Sequence, residues 1–221
     1  MDAERVVSVN VGAVRPHPNA PSTSTGIIKA PSDRPLMLDV EGFEGDGQAN
    51  RRVHGGPHMA AYVYSADDYA WWETELERPL SPGTFGENLT ITGFRDADVR
   101  SGDRFQVGEA MLEASIPRIP CATFAMHMGD PGFVKRFAQA GRLGFYCRVV
   151  TPGAVGPGDP FERVARGAVP AATMAELGRL HISARTELDG LRAVAEAAPT
   201  LHPRWVSWIE ERLGGIDETG R

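Results

Sequence analysis

Over its first three quarters the chain alternates short apolar runs with clusters of glycine and proline. Val6 to Val14 reads as a strand, followed by a loop carrying Pro16, Pro18 and Pro21. Thr25 to Lys29 resumes an ordered segment ahead of Pro31 and Pro35. Met59 to Tyr64 is a short strand, and Ser65-Ala66-Asp67-Asp68 supplies an N-cap and first-turn acids that predict a helix through about Leu76. Leu89 to Thr92, Asp103 to Val107 and Ala110 to Ser115 are successive strands. Asp130-Pro131 opens a helix that runs to about Ala140. Gly144 to Val150 and Pro160 to Val164 complete the strand series.

After Val164 the period changes from two to near 3.6. Thr173–Leu180, Thr186–Ala197 and Pro203–Leu213 read as three short helices. In the last of them Trp205, Trp208, Ile209 and Arg212 share one face, which predicts tryptophans packed inward. Were those rings exposed instead, they would mark a partner surface. The predicted fold is mostly β with some α: a folded-over, barrel-like body over 1–164, followed by a three-helix module over 165–221.

The formal net charge of −6 argues against a nucleic-acid polymer or a membrane surface as partner, yet is compatible with a small basic pocket inside an acidic shell. No run approaches the ~18 apolar residues of a membrane span, and Met1-Asp2-Ala3-Glu4-Arg5 lacks the order of a signal peptide. The expected location is the cytoplasm. Cys121 and Cys147 are too few for a disulfide scaffold.

Three stretches are candidates for chemistry. In Ile116-Pro117-Arg118-Ile119-Pro120-Cys121 a strand ends in a proline-bracketed turn with a cysteine at its exit and a helix behind it. A helix start and Arg118 favour the thiolate, the form that binds metals; an inert buried thiol is the alternative at even weight. Cys147, inside a strand, reads as core. Arg51-Arg52-Val53-His54-Gly55-Gly56-Pro57-His58 cannot be a zinc-binding helix, because Gly-Gly-Pro lies between the histidines. It reads as an anion cradle or, equally, as a solvated basic turn. Pro82-Gly83-Thr84-Phe85-Gly86-Glu87-Asn88-Leu89 lines a site or is a tight loop whose Asn88 satisfies its own backbone. There is no P-loop, dinucleotide fingerprint, Cys-x-x-Cys or nucleophile elbow. One candidate thiolate with scattered arginines suits an anionic cofactor carrying a soft metal.

Together with Thr25-Gly26-Ile27-Ile28-Lys29, Gly45-Asp46-Gly47-Gln48, Tyr62-Val63-Tyr64-Ser65, Gly102-Asp103-Arg104 and Gly141-Arg142-Leu143-Gly144-Phe145-Tyr146, these segments resemble the MOSC (molybdenum-cofactor sulfurase C-terminal) domain. Within that family the chain is most similar to the stand-alone bacterial proteins of 6-N-hydroxylaminopurine resistance, which carry a C-terminal three-helix module. The resemblance implies a molybdenum cofactor, a molybdopterin dithiolene with molybdenum, whose metal takes Cys121. It implies that His54, Gly55 and Gly56 belong to the cofactor loop and that Arg118 and Arg142 surround the pterin phosphate. Lys29, Arg51 and Asn88 follow as further contacts. Cys147 departs from the family pattern. The implied activity is reduction of a small N-hydroxylated substrate (a hydroxylaminopurine, hydroxylamine or amidoxime), with Cys121 and His54 catalytic and an external electron-donor protein supplying electrons. The rival readings are a carrier of the cofactor or of a persulfide, and an interaction protein acting through its C-terminal helices.

Overall fold

A computed structural model describes residues 4–51, 55–183 and 187–214. In chain order it forms strands β1 (Val6–Val11), β2 (Arg15–His17), β3 (Ala20–Thr25), β4 (Ala30–Ser32), β5 (Leu36–Asp39), β6 (Gly42–Phe43) and β7 (Ala61–Ser65), then helix α1 (Ala66–Leu76). Strands β8 (Leu89–Ile91), β9 (Arg104–Val107) and β10 (Ala110–Pro117) follow, then helices α2 (Ala122–Met128) and α3 (Phe133–Ala140). Strands β11 (Phe145–Thr151), β12 (Gly153–Val155) and β13 (Phe161–Ala165) lead into helices α4 (Met174–Ile182), α5 (Leu188–Ala195) and α6 (Pro203–Gly214).

Eight strands make the main sheet, in the order β13-β9-β10-β11-β7-β8-β1-β4. All its neighbours run antiparallel except β7 and β8, a parallel pair joined through α1. The sheet curls until Arg5, just before β1, bridges Pro160, just before β13. Phe161 N–H donates to the Glu4 carbonyl at 2.9 Å across this seam. No ladder closes it among the described residues. The barrel expected from sequence is thus a curled sheet whose ends meet only through this bridge and a few backbone hydrogen bonds, Val6 N–H donating to the Asp159 carbonyl at 2.9 Å and Gly158 N–H to the Val6 carbonyl at 2.8 Å.

Three apolar layers hold this frame. Inside the curl lie Val9, Leu38, Val63, Leu89, Phe105, Leu112, Phe145 and Phe161. On one outer side an aromatic cluster of Tyr62, Tyr64, Trp72, Phe85, Phe124 and Phe137 seats α1, α2 and α3. On another, Ile116 and Met59 meet Leu177, Leu191, Val194, Trp205 and Ile209 of the C-terminal helices. Full burial of each large side chain here is worth about 1.5–3 kcal/mol. Trp205 is buried and Trp208 half-buried, so the stripe on α6 faces the body as expected and its inner ring is not a partner surface.

Local chemistry accounts for the element starts. Ser65 Oγ accepts the Asp67 N–H at 3.3 Å and opens α1, as predicted. Helix α3 starts later than Pro131, because Asp130 Oδ1 accepts the Gly132 N–H at 2.8 Å and holds a turn ahead of it. The stretch expected as a proline-rich loop is instead the hairpin β2–β3. A two-stranded sheet has an open edge on each strand, so Pro16 and Pro21 need not donate. No helix among the described residues is long and apolar enough to cross a membrane.

Candidate functional site: a cysteine and a buried arginine in one cavity

The turn after β10 delivers the cysteine. Pro117 ends the pairing with β11 opposite Phe145, and Pro120 cannot continue it, so the chain leaves the sheet. Cys121 caps α2, its carbonyl accepting the N–H groups of Phe124 at 3.0 Å and Ala125 at 3.1 Å. It is half-buried at the wall of a cavity of about 250 Å³. Cys147 is fully buried in β11, where burial pushes its thiol well above the usual range. Neither cysteine is in a disulfide.

Arg118 lines the same cavity and is 5% exposed. Its guanidinium carbon lies 3.6 Å from the centroid of Phe124 and 5.5 Å from that of Tyr62. Its side chain hydrogen-bonds the Tyr146 hydroxyl. Nη1 is buried with no hydrogen-bond partner, and among the described residues no carboxylate pairs with this cation. Leaving a guanidinium buried without an anion costs several kcal/mol. A negatively charged group in the cavity would offset that cost. Burial also raises the pKa of Tyr62 and Tyr146, so both phenols stay protonated near neutrality.

The remaining candidates divide. Lys29 lines the cavity, but its ammonium is held by Asp46 in a nearly buried pair. Asp46 in turn accepts the Gly12 N–H at 2.9 Å and an Asn88 amide N–H at 2.9 Å. Asn88 also lines the cavity, yet its side chain is spent on protein: it accepts the Tyr62 N–H at 3.1 Å and donates to the Asn10 carbonyl at 3.2 Å. Of the two readings of its loop, this favours the structural one for Asn88. Glu87 is fully buried behind the wall and ties the loop together. The Gly56 N–H donates at 3.0 Å to Gln48 Oε1, so the glycine loop abuts a lining residue rather than lining the cavity itself. A Cβ on Gly55 would stand 2.4 Å from that same Oε1, so a larger residue there would displace the Gln48 side chain.

Two arginines lie elsewhere. Arg51 is exposed and paired with Glu41. Arg142 pairs with Asp68 on α1, and its guanidinium lies 4.7 Å from the centroid of Trp71. A largely buried carboxylate demands a counter-ion, and that demand, rather than the cavity, fixes Arg142. His54 lies outside the described residues. The sequence reading named neither Tyr62, Tyr146, Asp46 nor Gln48 as site residues. They reach the cavity from three separate segments: the loop after β6, strand β7 and strand β11.

A family model described as the MOSC domain matches residues 50–162. The chain is 43% identical over 163 residues to YflK, an uncharacterized protein of Bacillus subtilis strain 168, covering 73% of this chain and 74% of that one. It is 35% identical over 164 residues to protein YiiM of Escherichia coli K12, covering 72% of each. This chain belongs to the MOSC domain family.

The crystal structure of YiiM from Geobacillus stearothermophilus superposes with a TM-score of 0.81 at 28% identity, over 95% of this chain and 99% of that one. That of YiiM from Escherichia coli gives 0.76 at 27%, over 97% and 94%. The matched MOSC span holds Cys121, Arg118, Asn88, Tyr62 and Tyr146. Lys29 and Asp46 precede it, so one wall of the cavity is built by chain outside the span.

Proposed function

We propose that the cavity holds the pterin dithiolene of a molybdenum cofactor and that the protein reduces N-hydroxylated compounds there. The observation that carries this reading is the convergence on one cavity of the Cys121 thiol and the buried Arg118 guanidinium, whose Nη1 has no hydrogen-bond partner and which no carboxylate pairs among the described residues. A second supports it. Among the described residues no group of three or more His, Cys, Asp or Glu could hold a metal ion. A lone thiolate suits a metal that arrives with its other ligands.

Cys121 would be the one protein ligand of the metal, and Arg118 would face the cofactor's phosphate. Lys29, already neutralised by Asp46, would add a donor but little net charge. The protonated hydroxyl of Tyr146 would donate a hydrogen bond along the same wall, whereas Tyr62 Oη already donates to the Leu143 carbonyl at 2.7 Å. When bound, the cofactor supplies two-electron redox chemistry at the thiolate-held metal. The overall reaction takes R–NHOH, two electrons and two protons to R–NH2 and water. The electrons come from an external electron-donor protein. A protein named "Reductase" in Gibberella moniliformis, 30% identical over 167 residues, favours a redox role, although this chain spans 29% of its length. The substrate is a small N-hydroxylated molecule: a hydroxylaminopurine, hydroxylamine or amidoxime.

The carrier reading uses the same thiol and cation without turnover. Protein from a host that makes the cofactor, supplied with reduced methyl viologen and a hydroxylamine substrate, separates the two. Many turnovers per chain, lost in Cys121→Ser, establish the reductase. A single turnover or none leaves the carrier.

A further inference from the structure

A second cavity, about 340 Å³, lies where the C-terminal helices meet the body. It and the first cavity have four lining residues in common: Met59, Ile119, Cys121 and Tyr146. The side chains of Met59 and Ile119 carry no acidic proton. Of the four, Tyr146 is therefore the one that can bring a proton to the thiol's surroundings. A molecule whose reacting end reaches Cys121 meets Tyr146 whichever cavity it occupies.

The fold holds this ring in place. Tyr146 lies on the central strand β11, opposite Ile116 on β10 and Tyr62 on β7, and its ring packs 5.1 Å from that of Tyr62. The two hydroxyls are committed differently. Tyr62 Oη gives its proton to the Leu143 carbonyl at 2.7 Å. The Tyr146 oxygen accepts from the Arg118 side chain, which leaves its own proton for a ligand. Burial pushes the Tyr146 phenol up, the Arg118 charge pulls it back, and the Cys121 thiol adds a smaller upward push. On the far wall of the second cavity stand His181, His202 and the Arg204 cation, with Arg212 5.0 Å from the Trp208 ring. Burial lowers both imidazoles, which are neutral near pH 7.

We propose that Tyr146 gives the proton that turns the departing oxygen of the substrate into water, and that Arg118 stabilises the phenolate left behind. This rests on the reductase reading. The N–O bond breaks, the oxygen takes the bonding pair, and the Tyr146 O–H proton moves to it. The two electrons from the external donor go to nitrogen, which takes its own proton from solvent. A second solvent proton restores the phenol. One R–NHOH, two electrons and two protons thus give R–NH2 and water. Water, with a pKa of about 15.7, is a far weaker acid than an ordinary phenol near ~10, so the transfer runs downhill. A guanidinium on the phenolate makes the hydrogen bond between them charge-assisted, and so stronger than in the phenol.

The test compares wild type with Tyr146→Phe, which keeps the ring and removes the proton. Both are loaded with cofactor and reduce 6-N-hydroxylaminopurine with reduced methyl viologen. The variant should lose about 10²–10⁴-fold in kcat, the usual contribution of a general acid. Its KM, its molybdenum content and its calorimetric affinity for the substrate, measured without donor, should match wild type. Between about pH 6 and 8 the wild-type rate should stay level, because a phenol is protonated throughout. The residual rate of Tyr146→Phe should climb as pH falls, since solvent must then supply the proton. Tyr64→Phe, which loses a buried hydroxyl bonded to Trp72 and the Arg142 carbonyl and lining neither cavity, should keep the wild-type kcat.

An undiminished kcat in Tyr146→Phe overturns the proposal and leaves the reductase reading standing. Loss of molybdenum or of substrate affinity along with the rate makes Tyr146 a binding residue, and overturns it too. Should Tyr146→Phe fail to fold, the wild-type profile decides: a rate falling steadily across that pH range shows a more acidic donor and contradicts the assignment. Loaded wild type that does not turn over at all overturns the reductase reading, and this proposal with it.

Discussion

The guanidinium carbon of Arg118, the first residue after β10 and four ahead of the start of α2, lies 3.6 Å from the ring centroid of Phe124. Cys121 sits midway between the two in sequence, so the turn that presents the thiol also fixes the cation. Replacing Arg118 by Lys keeps the charge but loses the planar stack and the fork of donors. Cofactor retained through desalting should fall about tenfold in Arg118→Lys. Arg118→Met removes the buried charge altogether. In cofactor-free protein it should melt no lower than wild type, because the cost of burying a cation without an anion goes with the side chain and offsets the hydrogen bond that the Tyr146 hydroxyl loses. A drop of several degrees in that variant would make Arg118 a structural residue.

The two cysteines should behave oppositely. Cys147→Ser places a hydroxyl in the apolar interior of β11, at a cost of about 1–3 kcal/mol by thermal or urea unfolding, with metal content unchanged. A loss of metal in Cys147→Ser, with the fold intact, would move the ligand role away from Cys121.

Glu87 is a fully buried acid at the centre of the Pro82–Leu89 loop. It accepts from Tyr69 Oη at 2.5 Å, Gly83 N at 2.7 Å, Phe85 N at 3.2 Å and Thr90 Oγ1 at 2.8 Å. In Glu87→Gln one acceptor becomes a donor facing donors. The variant should lose about 1–3 kcal/mol of stability and loosen the Asn88 wall of the cavity. Unfolding in urea measures the first and calorimetric binding of the cofactor the second.

Asp96 gives the fold a pH dependence. Its Oδ2 accepts the N–H groups of Leu143 at 2.7 Å and Gly144 at 3.0 Å, while burial pushes its pKa up to about 7. The folded state therefore holds this proton more tightly than the unfolded chain. The stabilisation is complete below the unfolded value near 4 and is lost as pH rises to about 7, by at most about 1.4 kcal/mol per pH unit. Melting temperatures between pH 4.5 and 8.5 should fall across that window and level off above it. Asp96→Asn should flatten the slope attributable to this group; an unchanged profile contradicts the assignment.

Much of this was legible in the chain because it is local. The Ser65 cap, the strand run at Met59–Tyr64 and the Trp205/Trp208 stripe each depend on neighbours a few residues away. The proline turn, its cysteine and the neighbouring Arg118 could be read for the same reason, and the family resemblance added the expected role of Arg118 at the pterin phosphate. The hairpin β2–β3 was not legible, since prolines break central strands but are tolerated where both strands have open edges. Nor was the fate of the cations. Whether Lys29 or Arg142 faces a ligand or a carboxylate is decided by Asp46 and Asp68, which lie 17 and 74 residues away in sequence. The open seam likewise depends on a bridge between Arg5 and Pro160 that no local pattern announces.

The most direct test of the central claim is molybdenum and pterin content of the purified chain, expressed in a host that makes the cofactor, for wild type beside Cys121→Ser. The account predicts close to one molybdenum and one pterin per wild-type chain, with the metal lost in a variant that melts like the parent. Equal molybdenum in both proteins, or none in the wild type with its fold intact, would contradict it.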